Sequence, residues 1–254
     1  MTESTCPDMV EQSLFLASFA LGIGPALFLL WHGLRRFDYP RVEKTLFDDR
    51  RVFFSLAVGL VFGTLSSLFA LTLRRPDPMS AVIAVAGVAI LEEAFKLVYL
   101  NRKGYRGNFS TTFYGFSLGL GVAATVSLAQ GIGNPNLISS PLTFVLLLLF
   151  TIGLCTMEGS TGALIGYGCS KGLPFTYFLR ALVARAIYTV AAGAFLLSVG
   201  EDWLIYLSLF VSLGVGLMLY YFTYVITMPD TLPVNLKRRV RKERKARSRA
   251  ARRP

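Results

Sequence analysis

MSAVIAVAGVAILEEAFKLVYL, residues 79–100, decides how the rest of the chain is read. It is long and apolar enough to cross a bilayer as one helix, which needs about 20 such residues. Yet its second half carries Glu92, Glu93 and Lys96. A charge in hydrocarbon costs roughly 2.5–3.5 kcal/mol on insertion scales, so such groups turn toward a bundle interior, find partners and mark a site. Three more charges interrupt apolar runs further along, Glu158, Arg180 and Arg185. These six residues are the candidate site.

The chain around that stretch is built the same way. Of its 254 residues 54% are hydrophobic and 16% charged, a balance that excludes an ordinary soluble domain. Runs of about 20 apolar residues predict an all-α polytopic membrane bundle of seven spans, near 14–34, 52–73, 79–100, 110–132, 142–168, 175–198 and 203–228. A short outer segment, 1–13, precedes the bundle 14–228, and a basic tail, 229–254, follows it. Residues 1–13 hold no Lys or Arg and so lack the basic start of a cleavable signal peptide; the first span is expected to be retained.

Lys and Arg set the orientation. With the N-terminus outside, Arg35, Arg36, Arg41, Lys44, Arg50, Arg51, Arg102, Lys103, Arg106, Lys171 and the tail all face the cytoplasm. Only Arg74 and Arg75 face out, which favours an odd number of spans with the C-terminus inside.

The formal charge of +11 belongs almost wholly to the tail. Between Asn235 and Pro254, Lys237, Arg238, Arg239, Arg241, Lys242, Arg244, Lys245, Arg247, Arg249, Arg252 and Arg253 stand against Glu243 alone. With little apolar face this arm is expected to stay solvated or disordered; it either only fixes topology by the positive-inside rule or binds an anionic lipid surface or the phosphates of RNA or a ribosome.

Small residues recur at four-residue spacing, Gly59 with Gly63, Gly115 with Gly119, Gly162 with Gly166, and Ser208 and Ser212 with Gly216. They predict close helix packing inside one bundle, with a dimer seam as the other reading. Pro25 predicts a bend in the first span. Residues 37–51 alternate apolar and charged groups and read as an interfacial segment or an ordinary loop. Cys6, Cys155 and Cys169 are scattered, the last two about 21 Å apart along one helix, so they neither pair with each other nor offer metal-ligand spacing. The sole histidine, His32, falls near the inner end of the first span. No cofactor motif is present, so no cofactor is predicted.

Depth brings the charges together. Glu92 lies roughly 13 Å from the end of its span, and Glu158 and Arg185 each roughly 15 Å deep. Lys96 and Arg180 lie a turn nearer the cytoplasm, where long side chains also snorkel. Glu92 and Lys96 share a helix face, with Glu93 turned about 100° away. A glutamate beside a second carboxylate in low dielectric suits a general base toward water; a neutralising Glu–Lys pair is the other reading.

Glu92-Glu93-x-x-Lys96 resembles the first motif of the PrsW-type membrane proteases, relatives of the CAAX prenyl endopeptidases in the CPBP superfamily. Gly24-Pro25-Ala26-Leu27-Phe28-Leu29-Leu30-Trp31 with Arg36-Phe37-Asp38-Tyr39 is similar to that family's first helix and charged exit. The segments starting Tyr114-Gly115-Phe116 and Thr161-Gly162-Ala163 resemble its glycine-rich fourth and fifth elements, so the likeness spans about 14–197. The resemblance implies a glutamate-positioned water attacking a peptide bond of a transmembrane substrate within the membrane. This chain departs from the pattern where Val126 stands for a second glutamate, Glu158 for a histidine, and Arg185 and Thr189 for a histidine and an asparagine. Arg185 stays protonated and cannot accept a proton.

Glu158 and Arg185 therefore read as a compensating ion pair in a degenerate protease core. The expected function is a non-catalytic membrane component that receives a partner helix. The alternatives are an active protease using Glu92, Glu93 and Glu158, and an ion- or proton-coupled carrier. A carrier built from repeats would show internal symmetry, and none is evident.

Overall fold

The computed structural model describes residues 7–37, 46–72, 78–133, 141–197 and 201–232, and among these there is helix and turn but no strand. The helices are α1 (Pro7–Leu34), α2 (Asp49–Thr72), α3 (Pro78–Leu100), α4 (Thr111–Gly133), α5 (Pro141–Lys171), α6 (Pro174–Ala191), α7 (Gly193–Leu197), α8 (Asp202–Phe222) and α9 (Met228–Thr231). α1, α3, α5 and α6 each open on proline, whose fixed φ and missing donor suit the first turn. The turns on either side of α4 and α5 use Gly104, Gly107 and Gly172 at positive φ.

Two of the expected spans are interrupted. The sixth breaks at Ala192, where α6 gives way to the short α7. The last widens into a π-turn at Thr223–Thr227 before α9. Pro229 follows that turn; it donates no backbone hydrogen bond and its ring crowds the carbonyl of Val225, which a wider turn relieves. α1, by contrast, continues unbroken through Pro25.

Among the described residues five helical stretches are long and apolar enough to cross a membrane: Leu16–Leu34, Asp49–Ala70, Thr111–Gly133, Pro141–Lys171 and Trp203–Thr231. Large apolar side chains such as Phe28, Phe53, Leu65 and Met218 are exposed on α1, α2 and α8, where water would be a poor solvent for them. The fold is that of an integral, multi-pass membrane protein. α3 and α6 fall outside the five, and they are the helices that carry Glu92, Glu93, Lys96, Arg180 and Arg185.

α4 is the axis of the bundle. Residues 111–125 are buried without exception, because α1, α2 and α5 surround it. The glycine spacings are spent on these contacts. Gly59 and Gly63 of α2 face Gly121 and Val122 of α4; Gly115 and Gly119 of α4 face Gly162 and Glu158 of α5. A methyl group at Gly119 would overlap the backbone carbonyl of Glu158, so these glycines bring helices of one chain together.

Residues 38–45 of the expected interfacial segment lie outside the described residues. In its described flanks Phe37 and Phe47 are buried, with ring centroids 5.0 and 5.3 Å from that of Phe113.

Candidate functional site: a buried charge cluster

α3, α5 and α6 meet around five ionisable side chains. Glu92, Glu93 and Lys96 come from α3, Glu158 from α5 and Arg185 from α6. Glu93, Lys96 and Glu158 are entirely shielded, at 0% exposure, and Arg185, at 8%, is the most open of the five. Helix periodicity delivers the α3 set, because residues three and four apart project toward one neighbour.

Lys96 uses all three ammonium protons. Nζ donates to Glu93 Oε1 at 2.7 Å, to Thr161 Oγ1 at 2.8 Å and to Glu158 Oε2. Arg185 spans α5 and α3 with its two terminal nitrogens, one donating to Glu158 Oε1 and the other to Glu92 Oε2 at 2.6 Å. Ser66 of α2 closes the far side by donating to Glu92 Oε1 at 2.6 Å. The Thr161 hydroxyl lies 3.0 Å from Glu93 Oε1 and can donate to it.

Both oxygens of Glu92 and of Glu158 are thus occupied by donors. Glu93 Oε2 and Arg185 Nε are buried without a hydrogen-bond partner. Three carboxylates face two cations, leaving one formal negative charge in excess. In low dielectric these attractions are strong, and so is the cost of removing any one member.

The arrangement holds charge; it does not expose it. A general base must reach a water, but here the carboxylates are enclosed, and two of the three have a donor on each oxygen. Among the described residues no set of three His, Cys, Asp or Glu is arranged to hold a metal ion. An open depression lined by Asp48, Asn108, Ser110 and Tyr114 includes no member of the cluster.

Most sequence-derived candidates converge here, with two changes. Lys96 bonds Glu93, three residues away, instead of Glu92 four away, because Glu92 is turned to Arg185 and Ser66. Arg180 is not part of the cluster. It is exposed, and its guanidinium lies 4.8 Å from the ring centre of Tyr177. The expected Glu158–Arg185 pair is formed.

Sequence reading missed Ser66 and Thr161. Thr161 stands one turn after Glu158 on the same face, a usable signal; Ser66 is a hydroxyl in an apolar run with no pattern to single it out. Val126 and Thr189 take no part in the cluster's hydrogen bonds. Cys155 and Cys169 are free and buried. The tail residues from Lys237 to Arg253 lie outside the described residues.

In comparison with known proteins, no family model, curated protein or solved structure matches the chain.

Proposed function

We propose that this protein is a non-catalytic membrane component with a PrsW-like bundle, in which the former catalytic region has become a structural ion network. The enclosure of Glu158 carries this reading: its carboxylate is fully shielded. Lys96 and Arg185 hold its two oxygens in ion pairs, where a water-activating group would need access to water. On this reading the bundle crosses the membrane seven times, α3 and α6 included, since their charges turn inward and leave apolar faces such as Ile83, Val98, Val183 and Ile187 to lipid. The loop arginines and lysines then favour the N-terminus outside and the C-terminus in the cytoplasm. There the tail docks on anionic lipid or on RNA or a ribosome, and the bundle receives a membrane-protein partner.

The test is cleavage of a single-span helix substrate in reconstituted membranes, with Glu92→Gln and Glu93→Gln beside the unaltered chain. No cleavage is expected from any of the three. Cleavage that disappears in either variant overturns the reading and leaves an intramembrane glutamate-dependent protease. One observation favours that second reading: Glu93 Oε2 is the single cluster carboxylate oxygen with no donor, and a water admitted by a shift of α3 would meet it.

A further inference from the structure

A second constellation sits at the carboxyl-terminal end of α1, on residues that take no part in the charge cluster. His32 Nδ1 lies 2.8 Å from the Tyr220 hydroxyl, and the His32 ring stacks on Tyr224 with centroids 5.4 Å apart. Arg36 lies over the same Tyr224 ring at 5.3 Å, and Arg35 over Trp31 at 4.7 Å. These contacts tie the end of α1 to α8 and the π-turn, and they hold the two guanidinium groups of adjacent residues each over an aromatic ring. Ring faces attract a cation but supply no counter-charge.

Among the described residues neither arginine is paired with a carboxylate. Arg35 Nε is buried with no hydrogen-bond partner among the described residues. A buried donor left unsatisfied is costly, and a planar guanidinium is best satisfied by a carboxylate or a phosphate. Immediately beyond the arginines the surface turns apolar: Phe28 is 60% exposed and Trp31 57%, and Phe222 of α8 is also exposed. Phosphate-binding cations beside an exposed aromatic and aliphatic wall match a molecule that is anionic at one end and hydrocarbon at the other.

We propose that Arg35 and Arg36, framed by Trp31, His32, Tyr220 and Tyr224, bind the headgroup phosphate of an anionic phospholipid whose acyl chains run along the exposed face of α1 and α8. The aromatic contacts hold the guanidinium groups in place before lipid arrives, which lowers the ordering cost of binding. Selectivity over a zwitterionic lipid comes from charge: among the described residues no carboxylate pairs with either arginine, so the two accept a net negative charge and gain nothing from a choline cation beside it.

The experiment measures phosphatidylglycerol binding to the full-length purified protein by native mass spectrometry, in competition with phosphatidylcholine. The Arg35→Gln/Arg36→Gln protein should bind phosphatidylglycerol roughly thirtyfold more weakly, about fivefold per arginine. Arg180→Gln, which removes an exposed arginine held over Tyr177 on another helix, should bind as the unaltered chain does. Undiminished binding by a folded double variant overturns the proposal. So does displacement of the lipid by soluble glycerol phosphate, which would identify a free-phosphate site. Should the double variant fail to fold, a photoactivatable phosphatidylglycerol analogue on the unaltered chain decides. Labels on 28–36 or 220–226 support the site, and labels confined elsewhere refute it.

Discussion

Replacing Arg185 with leucine tests the cluster most directly. The substitution leaves Glu92 Oε2 and Glu158 Oε1 without their cation and raises the excess of buried carboxylates from one to two. Breaking a buried pair by removing one partner costs about 3–5 kcal/mol. Glu92 keeps Ser66, and Glu158 keeps Lys96, which places the expected loss toward the lower end of that range. For a chain of this size about 3 kcal/mol corresponds to a fall in melting temperature of roughly 6–12 °C. Thermal unfolding in a mild detergent, followed by tryptophan fluorescence, measures it. The diagnostic step is the second substitution. Arg185→Leu combined with Glu158→Gln removes one charge of each sign and should regain at least half of the loss, because the network returns to a single excess carboxylate. An unchanged melting temperature in Arg185→Leu, or a double variant as unstable as the sum of its parts, would refute the pairing.

Other outcomes follow from individual contacts. Thr161→Val removes an acceptor from Lys96 and a donor near Glu93 and should cost about 1–3 kcal/mol in the same melting assay. Gly119→Ala forces α4 away from the Glu158 backbone and should destabilise by about 1–3 kcal/mol, whereas Gly87→Ala on α3, where a methyl group meets nothing within 4 Å, should be neutral or stabilise by up to about 1 kcal/mol. Truncation after Val234 should weaken salt-sensitive binding to liposomes rich in anionic lipid or co-sedimentation with ribosomes; if the full and truncated chains behave alike at low salt, the tail serves only to set topology.

The helical membrane fold was legible in the sequence because bilayer thickness and the need to satisfy every backbone polar group in lipid leave few solutions for so apolar a chain. Helix positions followed from the same constraint, as α2, α3, α4 and α5 show. The convergence of Glu92, Glu158 and Arg185 was legible too, since depth along a helix is a linear function of residue number. What residue spacing could not assign was the azimuth of each helix about its axis. Glu92 and Lys96 share a face in sequence, yet the placement of α6 and of Ser66 on α2 draws Glu92 away and leaves Lys96 to Glu93 and Glu158. Arg180 and Arg185 differ by five residues, more than one turn but far from a whole number of turns. Only the packing of α6 decides that the second is enclosed and the first exposed. Sequence determines which side chains lie at one depth; tertiary packing decides which of them touch, because each ion pair depends on the rotation and approach of two helices that the chain connects only through distant turns.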